Sequence, residues 1–307
     1  MLLNLPEFDY YSCTSVREAC SLLSESKGEA RVFAGGTDML VKMKHRKMVP
    51  RSLINIKRIQ NLDYIRYDEE SGLRIGALAT VESLTNSSVV MKKFAVLGEA
   101  ASMLGTPHVR SLATLGGNLC NASPAAECAP ALLAIGAKVR IAGLAGERVV
   151  PLESFFTGPG ETVLGPDEIL TEIQVPNLPP RTGGVHLKYG SRRVDVAVAG
   201  VSILMTVDGP RCEDVKIALS AVGPTPFRAK TAEAVLRGEV LREDKGDLVA
   251  KAAETAASET SPIDDIRGKA DYRRYLIGVM VADGVNRLIY EMITRRVGSR
   301  GPVRRLD

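Results

Sequence analysis

The sequence predicts a mixed α/β protein, α+β overall, with a two-lobed N-terminal domain over residues 1–177 (lobes about 1–57 and 58–177) and a smaller α+β domain over 184–293. Three observations predict it. Strand-like and helix-like patterns alternate through the first 57 residues, the signature of an α/β unit. The Pro/Gly-rich stretch "VPNLPPRTGG" (175–184) interrupts all periodicity and reads as a linker. Beyond it a run of strands precedes a run of helices, as in an antiparallel sheet with helices on one face.

In order, "FDYYSC" predicts a strand, and "TSVREACSLLSES" a helix opened by a Ser15-to-Glu18 capping box. "ARVFAGG" is a strand, "TDMLVKMKHRKM" a helix and "SLINI" a strand. "LDYIRYDEESGLRIGA" (62–77) is a hairpin around a Glu-Ser-Gly turn. "TVESLTNS" and "MKKFAVLGEAASML" predict two helices, followed by a loop at "TLGGN", a helix from about Pro124 to Gly136, and strands near 137–142 and 168–175. In the second domain "GVHLKYGS", "VDVAVAGVSILMTVDG" and "EDVKIALSAVG" predict a three-stranded antiparallel sheet. "FRAKTAEAVLRG", "GDLVAKAAETAAS" and "DYRRYLIGVMVADGVNRLIYEMI" predict helices.

Composition bounds the function. Charged residues make up 25% and hydrophobic ones 45%, an ordinary folded protein. The net charge of +4 is small, and five arginines of the basic tail (294–307) supply much of it. No aromatic residues interleave with those arginines as nucleic-acid stacking would need, so no nucleic acid is expected. The longest nearly apolar run, 196–207, is too short for a membrane span of about 20 residues. Without a basic n-region or apolar h-region at the start, the expected setting is cytoplasmic. The five cysteines are scattered, with no C-x-x-C and no zinc spacing, so no metal site is predicted. His45, His108 and His186 join no triad-like motif, and no nucleophile elbow is present.

One local pattern occurs twice. "VFAGGTDMLVKMK" (32–44) and "ATLGGNLCNASPAAECAP" (113–130) each carry adjacent glycines ahead of a helical pattern. Successive N–H groups without an intervening Cβ make an anion-binding nest, and two nests suit a diphosphate. Thr37, Thr114, Asn118 and Ser123 supply hydroxyl or amide groups to complete a cradle. Neither stretch has the G-x-G-x-x-G or P-loop spacing. On the residues alone, two ordinary tight turns remain the alternative to a nucleotide site.

"AGGTD" and "TLGGN", the latter followed by "SP" and an acidic residue, resemble the paired FAD-binding motifs of the flavoprotein (medium) subunit of molybdenum hydroxylases. That family includes carbon monoxide dehydrogenase, xanthine dehydrogenase and 4-hydroxybenzoyl-CoA reductase. The segment 52–84, "DEILTEIQVP" and "HLKYGSRRVDVAVAGVS" extend the likeness over nearly the whole chain. The resemblance implies a two-lobed FAD-binding domain of the p-cresol methylhydroxylase-like type. It implies FAD contacts from Ala34, Gly35, Gly36, Thr37, Asp38 and Met39 in the first motif. Thr114, Gly116, Gly117 and Asn118 would act from the second, with Leu170 and Lys188 at flavin-contacting positions. Glu127 stands where the family usually has an aspartate that accepts from the flavin's sugar-alcohol chain.

Leu104 replaces an aromatic residue found in xanthine dehydrogenase relatives; Tyr189 either covers a ring face instead or lies exposed at a strand edge. Arg192, Arg193 and Asp195 form a charged loop that in relatives lies near the flavin. The benzoyl-CoA reductase branch carries a cysteine-rich cluster insertion that this chain lacks. The resemblance implies that the chain, which has no molybdenum or iron–sulfur ligands of its own, is the electron-transfer subunit of an oxidoreductase. Its partners would be a [2Fe-2S] small subunit and a molybdopterin-binding large subunit, in a dimer of heterotrimers. The acceptor would be NAD, a quinone or another molecule. A free-standing FAD oxidoreductase and a non-catalytic nucleotide-binding module are the alternatives.

Overall fold

In the computed structural model of the chain, residues 4–192, 194–242 and 246–294 are described. Arg193 and the basic tail beyond Thr294 lie outside them. The first lobe runs β1 (Asp9–Ser12), α1 (Val16–Glu25), β2 (Ala30–Phe33), α2 (Met39–Lys44), β3 (Ser52–Asn55). Its sheet is parallel with order β1-β3-β2, so the central strand β3 is buried throughout. Ser15 caps α1 by accepting from the Glu18 N–H at 3.2 Å. Glu18 reaches back one residue further than the capping box predicts, to the Thr14 N–H at 2.8 Å.

The second lobe starts with the hairpin β4 (Ile65–Asp68) and β5 (Gly72–Gly76). Helices α3 (Val81–Asn86), α4 (Ser88–Lys93), α5 (Ala95–Ser102), α6 (Pro107–Arg110), α7 (Leu115–Cys120) and α8 (Cys128–Ile135) follow. It closes with β6 (Lys138–Gly143), β7 (Gly146–Pro151), β8 (Phe156–Gly158), β9 (Glu161–Thr162) and β10 (Ile169–Val175). The last long strand, β10, enters between β5 and β6 and makes an antiparallel sheet of order β4-β5-β10-β6-β7.

The segment expected as one helix over 91–104 is broken at Phe94, whose backbone leaves the helical region (φ −132°, ψ 47°). The break folds α4 back onto α5 at Gly98, where a Cβ would come within 2.5 Å of Met91 Sδ. It also buries the Phe94 ring against Tyr67, centroids 6.2 Å apart. The helix expected from Pro124 begins at Cys128 and ends where expected, on Gly136 in the left-handed region (φ 82°).

The third sheet is β11 (Thr182–Tyr189), β12 (Ala199–Asp208), β13 (Arg211–Ser220) and β14 (Phe227–Arg228), antiparallel in that order. It has four strands where three were expected. "FR" opens what reads as a helix, but Arg228 is drawn onto β13 by the buried Glu233, accepting from Arg228 Nε at 2.8 Å. Helices α9 (Lys230–Leu236), α10 (Gly246–Ser258) and α11 (Ala270–Ile289) cover one face.

The other face is covered as well, contrary to the one-sided layer expected. Leu204 on β12 and Ala218 on β13 join the core of the second lobe, packed under α5 and α8. That is why β12 is buried at nearly every position rather than at alternate ones.

Phe94 marks this junction: Phe94→Ala should destabilise the protein by about 3–5 kcal/mol in urea unfolding.

Candidate functional site

A cleft of about 600 Å3 opens between the loop after β2, helix α7, the segment 160–170 and the loop at Val194–Val196. Twelve of the thirteen residues singled out from the sequence line it: Ala34 through Met39, Thr114, Gly116, Gly117, Asn118, Glu127 and Leu170. The thirteenth, Lys188, stands behind Glu127 and is bonded to it.

The first Gly-Gly pair divides its tasks. A Cβ on Gly35 would lie 2.0 Å from the Leu112 carbonyl oxygen, so this glycine lets the two halves of the cleft touch. Gly36 has φ +72°, a left-handed turn that glycine adopts without strain. That turn leaves the backbone N–H groups of Gly35, Gly36, Thr37 and Asp38 donating to no protein group among the described residues. Lys57 fixes the loop from behind, its ammonium 3.3 Å from the Ala34 oxygen and 4.0 Å from the Phe33 ring centroid.

The second pair differs from the expected loop. Thr114 is a helix cap, its Oγ1 accepting from the Gly117 N–H at 3.0 Å, and both glycines lie inside α7. The Leu115 N–H donates to Ala79 O at 2.9 Å and the Gly116 N–H to Ala77 O at 3.0 Å. The second motif therefore offers no nest, because these backbone donors already have protein acceptors. Gly116 is bare because a Cβ would sit 2.6 Å from Ala77 O. Gly117 faces outward, and a Cβ there would meet only Thr114 Oγ1, at 2.8 Å. What the motif turns to the cleft is side-chain chemistry. The Thr114 hydroxyl keeps its proton to donate, and Asn118 Oδ1 is buried without a partner among the described residues.

Glu127 and Lys188 meet at 3.1 Å with side chains 8% and 4% exposed. Lys188 also donates to Met103 O at 2.9 Å. Burial pushes the Glu127 carboxyl up to about 7, against the pull of Lys188 and of a hydrogen bond from the Ala197 backbone. Leu170 and Leu104 form apolar wall. Tyr189 is exposed and accepts from the Tyr272 hydroxyl at 2.9 Å; it is not part of the lining. Asp195 lines the cleft and is gripped by both Arg192 Nε (3.2 Å) and Nη2 (3.1 Å).

Sequence reasoning missed other parts of the wall. Glu168 accepts from Arg148 Nε at 2.8 Å, from Arg148 Nη2 at 2.7 Å and from the Gly165 N–H at 2.7 Å, pinning one rim. Arg148 lies on β7, 20 residues from Glu168 in the turn before β10, and no local pattern announces the pair. Lys42, on the first-motif helix, donates to Asn121 Oδ1 at 2.6 Å across the cleft. Asn121 lies 79 residues further along, and nothing local announces it as the target. His45 and His108 are exposed. His186 is buried, and burial pushes its imidazole down to about 4. Burial pushes the Cys120 and Cys128 thiols up to about 12, so neither is a thiolate.

Comparison with known proteins fits this geometry. Residues 6–178 match a family model described as the FAD binding domain in molybdopterin dehydrogenase. Residues 187–288 match the CO dehydrogenase flavoprotein C-terminal domain. The chain is 34% identical to the carbon monoxide dehydrogenase medium chain of Hydrogenophaga pseudoflava, over 92% of this chain and 96% of that one. It is 32% identical to subunit alpha of the 6-hydroxypseudooxynicotine dehydrogenase complex of Paenarthrobacter nicotinovorans, over 90% and 92%. A solved structure of the Hydrogenophaga pseudoflava carbon monoxide dehydrogenase superposes with a TM-score of 0.89 at 35% identity, covering 92% of this chain and 97% of that one.

Two outcomes follow from the geometry. Gly35→Ala should disrupt the cleft and lower stability more than Gly117→Ala, whose Cβ need displace only the capping Thr114 hydroxyl, a loss of about 0.5–2 kcal/mol in thermal unfolding. The second concerns pH. The Glu127 carboxyl titrates near 7 in the folded chain against an ordinary 4.5, so the folded state binds more protons between these values. Its contribution to stability falls as pH rises through that window. Glu127→Gln should flatten this slope in thermal unfolding measured as a function of pH.

Proposed function

The chain belongs to the family of FAD-binding subunits of molybdopterin dehydrogenases, and on that premise we propose that it holds FAD in the cleft between its two glycine motifs. The protein is a component of an oxidoreductase and its cofactor is FAD. In our reading it passes electrons from the [2Fe-2S] clusters of a partner subunit to an external acceptor such as NAD or a quinone.

One observation carries the placement of the cofactor: Gly35 to Asp38 line the cleft, and their four backbone N–H groups have no protein acceptor among the described residues. The residues present fit a dinucleotide in two further respects. Asn118 Oδ1 is a buried acceptor with no partner among the described residues, which a hydroxyl or N–H of a ligand would satisfy. The cleft volume falls within the range of cofactor sites, roughly 300–1,000 Å3.

The free N–H groups would receive diphosphate oxygens, with the Thr114 hydroxyl completing that end and Asn118 Oδ1 accepting from a donor of the ligand. Glu127 would accept from hydroxyls of the sugar-alcohol chain while remaining paired to Lys188. Leu104 and Leu170 would exclude water from the ring end. When bound, FAD supplies the electron exchange itself; the protein binds, orients and screens it.

The partners proposed are a [2Fe-2S] small subunit and a molybdopterin-binding large subunit, arranged as a dimer of heterotrimers. Relatives named as a medium chain and as a complex subunit support the presence of partner subunits. Those two relatives are named for chemically unrelated substrates at nearly equal identity to this chain, which supports a substrate site on the partner.

Acid extraction of the purified chain, or of the chain loaded with added FAD, should release a single FAD per chain. Co-expression should recover a cysteine-rich chain and a large chain with it. A protein that neither carries nor takes up FAD would overturn the placement.

A further inference from the structure

We propose that Lys42 is a diphosphate-binding residue of this cleft, with Asn121 holding its ammonium in place. The inference deepens the FAD reading and rests on it. It starts from the charges around the cleft. Among the described residues its lining carries the carboxylates of Asp38, Glu127, Glu168 and Asp195, and the cations Arg31 and Lys42. Three carboxylates are matched by residues outside the lining: Glu127 by Lys188, Glu168 by Arg148, Asp195 by Arg192. Arg31 is turned to the backbone, donating to Gly28 O at 2.6 Å and Ala30 O at 2.7 Å. Lys42 is the lining cation that remains.

Its orientation is informative. Asp38 lies four residues earlier on the same helical turn, and an i,i+4 carboxylate and lysine ordinarily pair along the helix. No Asp38–Lys42 ion pair forms among the described residues. The half-buried Lys42 side chain crosses instead to the second motif, where Nζ donates to Asn121 Oδ1 at 2.6 Å. An ammonium has three protons; this hydrogen bond uses one, and two stay available to a ligand. An uncharged acceptor holds the ammonium without neutralising it.

FAD brings a dianionic diphosphate into a cleft that already contains the unpaired carboxylate of Asp38. Backbone N–H groups carry only partial charge, so a full positive charge on the same cleft compensates both. Lys42 and Asn121 also join the first motif to the second, so ligand binding would lock the two together.

The test is the Kd for FAD, read from flavin fluorescence over a salt series, for the full chain and its Lys42→Gln and Lys42→Arg variants. Glutamine keeps a donor for Asn121 and removes the charge. Lys42→Gln should weaken FAD by about ten- to a hundredfold at low salt, the range for losing a charged hydrogen bond, and flatten the salt dependence. Lys42→Arg should stay near wild type. Asn121→Ala should weaken FAD by less than Lys42→Gln and keep the salt dependence. Riboflavin, which has no phosphate, should bind wild type and Lys42→Gln alike.

An unchanged FAD Kd and salt slope in Lys42→Gln, or an equal loss for riboflavin and FAD, would overturn the role given to Lys42. A wild-type chain that takes up no FAD would overturn the flavin placement itself.

Discussion

The ion pair between Glu127 and Lys188 is the interaction on which the arrangement around the cleft depends. A carboxylate and an ammonium withdrawn from water are tolerable only together, so the start of α8 and the end of β11 must meet. The neighbouring contacts run along the same seam. Lys188 bonds the Met103 carbonyl at the end of α5, and the Ala221 N–H donates to Pro124 O at 2.7 Å. The His186 N–H donates to Glu99 Oε2 at 3.0 Å, and His186 Nδ1 meets Ser202 Oγ at 2.8 Å. Apolar packing completes the seam, since Leu204 and Ala218 of the third sheet sit in the core of the second lobe. The third sheet is thus part of the cleft's support.

A second constraint is the close approach of chain segments at the glycines. Gly35 and Gly116 are bare because a carbonyl of another segment occupies the space of their Cβ. Gly36 serves a left-handed turn, where a Cβ would also meet the Phe33 ring at 2.6 Å, and Gly117 lies on the exposed side of a helix. The two motifs do different work: the first presents free backbone donors, and the second presents a hydroxyl and an amide from a helix whose own donors are satisfied.

Much of this was legible in the sequence, and the reason is local. The Ser15 cap, the alternating patterns of the first lobe, the Glu-Ser-Gly hairpin and Gly136 are set by neighbouring residues, and all appear in the structure. The two Gly-Gly stretches identified the cleft because glycine pairs ahead of helical patterns are short-range signals. Phe94 was illegible because its helix-compatible surroundings are overridden by the burial of one ring and the fit of Met91 against Gly98. Strand β14 was illegible because it exists through Glu233, whose effect on Arg228 depends on the fold of β13.

The sequence by itself determined most of the element types, the cofactor class through its family motifs, and twelve of the residues that line the cleft. The tertiary structure decided how those residues are used. It consumed the backbone donors of "TLGGN" in capping against Ala77 and Ala79, joined Glu127 to Lys188, sent Lys42 across to Asn121, and covered both faces of the third sheet. The physical reason is range. Propensity, capping and turn formation act over a few residues, whereas desolvation of a buried charge or an unmet backbone donor is settled by groups tens of residues away, once folding has brought them together.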